Sequence, residues 1–154
     1  MKPIFLIFSM ACCIGTSSCS KDDEVNASEN TRAMLINKKW MVTSSTSIDS
    51  LNNQTDLLAN TEAFKKDDYF LFKPDSTYEL NDNLVLRYDT ASVIIDAGRW
   101  ELSPDQEEII RISNVFTTEY PPATIKEITD TSLFLESRFE GDNSIIRSRY
   151  RRIE

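Results

Sequence analysis

Three cysteines, at positions 12, 13 and 19, are the only soft nucleophiles in the sequence, and there is no histidine to activate them. Without histidine most general-base, triad and zinc chemistry is out of reach. Carboxylates are plentiful, 25 Asp and Glu against 17 Lys and Arg over 154 residues. In so acidic a chain a pair such as Asp96 and Glu101 says nothing particular about glycosidase-type acid–base work. The calcium spacing Asp-x-Asp-x-Asp-Gly is absent, as are a phosphate loop and Gly-x-Ser-x-Gly. The expectation is a protein that is not an enzyme and uses no cofactor and no metal. Its acidity repels phosphates, so nucleic acid is not an expected partner.

Cys12 and Cys13 lie within an apolar run from Pro3 to Gly15 that follows Lys2. About 13 residues are too few to cross a bilayer as a helix, which takes about 20. The length suits the hydrophobic region of a signal peptide. Gly15-Thr16-Ser17-Ser18 and then Cys19 follow. This stretch resembles a bacterial lipoprotein signal, with Thr16 standing where leucine is usual. The resemblance implies cleavage before Cys19 and acylation of its thiol, hence a lipid anchor in a membrane. Ser20-Lys21-Asp22-Asp23-Glu24 is similar to the Lys-plus-acidic export signal of surface lipoproteins in the Bacteroidota. That implies an outer-membrane protein at the cell surface. Removal of 1–18 would leave 136 residues with 16 basic and 25 acidic side chains, a net charge of −9. Cys19 would then be the only cysteine, spent on acylation, with no thiol or disulfide left. Residues 19–30 carry Val25 as their one large apolar side chain. They read as a flexible linker, with a reach on the order of 18 Å for about 11 residues.

The remainder, 31–154, is one domain. Thr31 to Ile36 reads as a short helix capped by Asn30 or Ser28. Trp40 opens a first strand running to Thr46. Asp49 to Lys66 is a long polar connection, with one helical turn expected at Asp56–Ala59. Hairpins then follow one another. Tyr69–Phe72 and Thr77–Leu80 flank a Lys73-Pro74-Asp75-Ser76 turn. Leu84–Tyr88 is a possible short strand. Val93–Leu102 and Glu108–Ile112 flank Ser103–Gln106. Asn114–Glu119 connects to strands at Ala123–Ile128, Ser132–Phe139 and Ser144–Ile153. The expected fold is all-β, an eight-stranded antiparallel up-and-down barrel with a short N-terminal helix.

The order of a helical lead, Trp40, the hairpin Phe72 to Tyr78, Gly98-Arg99-Trp100 and a closing Tyr150-Arg151-Arg152 is similar to the lipocalin-like domains of Bacteroidota lipoproteins. Lys38 stands where lipocalins have glycine before the tryptophan. The resemblance implies a barrel that binds a small, partly apolar ligand. It also implies an arginine packed over Trp40, for which Arg152 is the choice, as a cation–π contact. The inward-facing aromatics are expected to be Trp40, Phe70, Phe72, Tyr78, Trp100 and Tyr150. They either fill the interior or line a cavity at its mouth, with 49–66 as a lid. Arg147, Arg149 and Arg151 share the opposite face of the last strand. They read as a solvated stripe paired with Glu136 and Glu140, or as a patch for an anion or a surface protein partner. Two further readings stand beside ligand binding. One is a solid barrel acting as an interaction module. The other is a glycan-binding β-sandwich with Tyr69, Tyr88 and Tyr120 as an aromatic platform.

Overall fold

The computed structural model describes residues 27–83, 94–105, 108–113, 121–141 and 143–154. The expected signal segment and linker with Cys19, Lys21, Asp22, Asp23 and Glu24 lie outside the described residues. So do the short strand over 84–88, the connection over 114–119, and Tyr88 and Tyr120.

Helix α1 spans Ala27–Leu35. Strand β1 is Lys39–Ile48 and β2 is Gln54–Asp56, followed by the single turn α2, Ala63–Lys66. The rest is strand after strand: β3 Tyr69–Phe72, β4 Thr77–Asn81, β5 Ile94–Leu102, β6 Glu108–Ser113, β7 Ala123–Ile128, β8 Ser132–Phe139 and β9 Ser144–Ile153. Every neighbouring pair from β3 to β9 is antiparallel. β1 pairs with β3 along Lys39–Met41 and with β9 along its whole length, from Lys39 opposite Ile153 to Ile48 opposite Ile145. That last pairing closes the sheet, so β1 and β3–β9 form an eight-stranded up-and-down barrel. β2 is an addition, a short strand laid on the part of β1 that has left β3.

Two local expectations need correction. The helix starts at Ala27, so Ser28 and Asn30 lie inside it instead of capping it; no Gly or Pro stands between Ala27 and Asn30 to stop it earlier. The 49–66 connection is also more ordered than its polar composition implied. Asp49 accepts from the backbone N–H groups of Leu51 and Asn53, both at 2.8 Å, turning the chain back into β2. Asp56 then accepts from the N–H of Leu58 at 2.8 Å, and Leu57 N–H bonds to Ser45 O at 2.8 Å. These side-chain caps of the aspartates replace the expected helical turn.

Alternation along the strands places the core. Trp40, Phe72, Tyr78, Trp100, Ile109, Ala123, Leu133 and Leu135 are buried inside the barrel together with Leu35 from α1. One end of the barrel is shut. Trp40 donates its indole N–H to Leu35 O at 3.0 Å, which fixes the end of α1. Arg32 of α1 sits 4.8 Å above the Trp100 ring and donates to Pro74 O at 2.9 Å. Trp100 in turn donates to Lys73 O at 3.1 Å. The β3–β4 turn, α1 and the two tryptophans thus form a single plug.

The expected contact between Trp40 and Arg152 is not the one made. Arg152 stands opposite Trp40 in the ladder, but its side chain is exposed. Trp40 is fully buried beside Leu35, and among the described residues the guanidinium found over a tryptophan is that of Arg32, over Trp100.

Candidate functional site

Toward the end of the barrel away from α1, the described residues line a cavity of about 260 Å³ whose walls come from both the barrel and the 49–66 segment. Val42 of β1, Phe70 of β3 and Leu80 of β4 supply one apolar wall, and Leu57 and Leu58 supply the lid side. Ser45, Ser148 and Tyr150 place three hydroxyls on the wall made by β1 and β9. Thr61, Lys65 and Asp68 stand at the rim.

The backbone explains this placement. β1 bulges between Val42 and Ser44, where its pairing with β9 shifts by one. The extra residue keeps Trp40 and Val42 on the inner face and brings Ser45, rather than Ser44, back to it. Ser45 Oγ lies 2.9 Å from Ser148 Oγ, directly opposite on β9. Tyr150 is the next inward residue on β9 and lines the same wall. Burial pushes the Tyr150 hydroxyl above its ordinary pKa, against the opposing pull of the Arg111 charge and the Ser148 hydroxyl. The phenol therefore stays protonated at neutral pH and available as a donor.

Below this cavity the described side chains fill the barrel. A gap of only about 10 Å³ remains among Trp40, Phe70, Phe72, Ile109, Arg111, Leu133, Leu135 and Tyr150. That is barely the space one water requires. Of the six aromatics singled out in the sequence, Trp40, Phe72, Tyr78 and Trp100 are all 2% exposed or less and do the filling. Phe70 and Tyr150 separate the filled part from the open cavity and border both. Their rings meet edge to face at 6.2 Å.

Arg111 was not legible as a site residue. It stands opposite the inward Trp100 in the β5–β6 ladder, so parity turns it inward as well. Its guanidinium lies 4.9 Å from the Phe70 ring centre. Asp96 likewise faces inward, 2% exposed, and accepts the Tyr78 O–H at 2.8 Å. Glu101 is exposed on the other face of the same strand, so the two carboxylates do not form a pair. Leu57 and Leu58 lie in the segment expected as a lid, but their place in the cavity wall is not legible in the sequence, because a Leu-Leu pair within a polar segment carries no strand or helix periodicity.

The arginine stripe borders a second, larger concavity of about 540 Å³ on the outer wall. Arg147 is held by Glu136 at 2.9 Å. Arg149 stacks 4.2 Å over Phe134 and reaches Glu127, not Glu140, at 3.9 Å. Neighbouring carboxylates thus answer two of the three stripe cations. One face of Phe134 is thereby covered. Tyr69 is similarly capped by Lys39 at 5.3 Å.

Comparison with known protein families and with curated protein sequences finds no match to this chain.

Proposed function

We propose that the chain is a lipid-anchored outer-membrane protein whose barrel binds a small, partly apolar molecule in the cavity at the end away from α1, without chemical change. The supporting observation is the mouth cavity of about 260 Å³, in which an apolar wall faces the Ser45, Ser148 and Tyr150 hydroxyls, lying over a filled core. Such a concave site with a few convergent polar groups is the usual form of a small-molecule site. The test is a titration with 2-naphthol followed by its fluorescence. Saturable binding is expected, and Leu58→Arg should weaken it at least tenfold by placing a charge in the apolar wall. Arg149→Ala, on the outer wall, should leave it unchanged. Loss of binding in Arg149→Ala with retention in Leu58→Arg would move the site to the outer groove and favour a surface interaction instead.

The anchor follows from Cys19 and the apolar run before it, and the surface position from Lys21, Asp22, Asp23 and Glu24. The geometry of α1 fits this arrangement. The linker leads into α1, and Arg32 and Leu35 hold α1 at the shut end of the barrel. A protein tethered there has its mouth at the end opposite the tether. Cys19→Ser should move the protein to the soluble fraction with 2-naphthol affinity intact. A variant that still partitions into membranes would show that the anchor is not on Cys19.

A further inference from the structure

The mouth reading can be taken one step further, to the class of ligand, because the floor of the cavity is well defined. We propose that the site takes a compact, ring-sized apolar molecule carrying one hydrogen-bonding group, and that Phe70 is the residue that excludes long acyl chains.

Size comes first. A dry cavity of about 150 Å³ holds a benzene molecule, and pockets for drug-sized ligands start near 300 Å³. The mouth, at about 260 Å³, lies between them and suits one or two fused rings. An extended acyl chain would have to continue into the bore. There it meets the Phe70 ring, with only about 10 Å³ beyond it.

That ring is held from several sides. It stacks on Phe72 at 6.1 Å with 14° between planes, meets Tyr78 at 6.3 Å and Tyr150 at 6.2 Å, and carries the Arg111 guanidinium at 4.9 Å. Swinging Phe70 aside would break all of these together, so the floor is a fixed wall and not a door.

The polar group follows from counting protons. Ser45, Ser148 and Tyr150 have three hydroxyl protons among them. Linking Ser45 to Ser148 uses one. The remaining protons and lone pairs sit on residues that line the cavity, where Val42, Leu57, Leu58, Phe70 and Leu80 form the apolar side and Thr61, Lys65 and Asp68 stand at the rim. A ligand hydroxyl can both donate to this row and accept from it.

Three probes on the full chain test this: 2-naphthol, naphthalene and cis-parinaric acid. The expected result is saturable binding of 2-naphthol, naphthalene weaker by about three- to tenfold for the lost hydrogen bond, and no saturable binding of parinaric acid. Tyr150→Phe should bring 2-naphthol down to the affinity of naphthalene. Phe70→Ala should gain parinaric acid, and Phe70→Leu, the gentler change, should show the same gain if the alanine variant does not fold. Equal binding of parinaric acid by wild type and the Phe70 variants would overturn the floor alone. An unchanged 2-naphthol affinity in Tyr150→Phe would overturn the polar assignment. Failure of every ring-sized probe on the wild-type chain would overturn the mouth reading itself.

Discussion

Trp40→Ala should cost about 3–5 kcal/mol of folding stability, against a total of about 5–15 kcal/mol for a domain of this kind. The expectation rests on three roles held by one residue. Trp40 is fully buried in the cluster with Leu35, Phe72 and Leu133, so truncation leaves a large void. It lies at the seam, opposite Phe70 of β3 on one side and Arg152 of β9 on the other. Its indole N–H holds the last carbonyl of α1, and α1 carries the Arg32 that covers Trp100. Trp40→Phe separates these roles. It retains much of the ring volume and the seam, but strands Leu35 O in a buried place, at about 1–3 kcal/mol. Urea unfolding of both variants gives the magnitudes. Limited proteolysis near α1 should show the helix loosening in Trp40→Phe while the barrel persists. A loss below about 1 kcal/mol for the alanine variant would mean that the neighbours collapse into the space and that the seam does not depend on this residue.

The difference between what the residues announced and what they concealed has a physical basis. Alternation with period two is a property of the strand itself. Trp40, Phe72, Tyr78 and Trp100 could therefore be assigned inward from the chain alone, as could Ser148 against Arg147 and Arg149. Tight turns are also local. Pro74 and Asp75 specify the β3–β4 connection, where Asp75 caps Thr77 at 3.0 Å and Ser76 adopts the left-handed conformation at φ 65°. The closure of β1 on β9 followed from the number of hairpins and the need to satisfy edges. The mouth was a different matter. Its lid depends on Asp49 and Asp56 acting as backbone caps, which no periodicity encodes. Its hydroxyl row depends on a bulge near Thr43 that exchanges Ser44 for Ser45 on the inner face. The inward turn of Arg111 depends on register with Trp100, a relation between two strands. The cation over the tryptophan was assigned to the wrong strand end because α1, with Arg32, packs across the barrel end. Whether the aromatics filled the bore or lined it was a question of shape, and the answer divides among them at Phe70 and Tyr150.

The second large effect should appear at Tyr78 and Asp96. Asp96 is a carboxylate inside a barrel, 2% exposed, with the Tyr78 hydroxyl bonded to it at 2.8 Å. Tyr78 is itself fully buried. Gly98, opposite Tyr78 on β5, has no side chain to compete for the space of the phenol ring. Tyr78→Phe keeps the ring packing and removes only the donor, which leaves the carboxylate with one hydrogen bond fewer where water cannot replace it. Hydrogen bonds to charged groups are worth about 1.5–3 kcal/mol, and the loss should fall in that range. Asp96→Asn preserves the size and one acceptor while removing the charge, so the same Tyr78→Phe step should cost about 1 kcal/mol less in that background. A double-mutant cycle by denaturant unfolding measures this coupling, expected at about 0.5–2 kcal/mol. Additive losses would show that Tyr78 acts through packing alone. The cycle also bears on the mouth, because Asp96 stands opposite Leu80, a residue of the cavity wall. Neither Tyr78 nor Asp96 is among the described residues that line the cavity. Tyr78→Phe should therefore lower stability with little change in 2-naphthol affinity, whereas Leu58→Arg should do the reverse. That opposite pairing of effects would separate the filled part of the barrel from the part left open for a ligand.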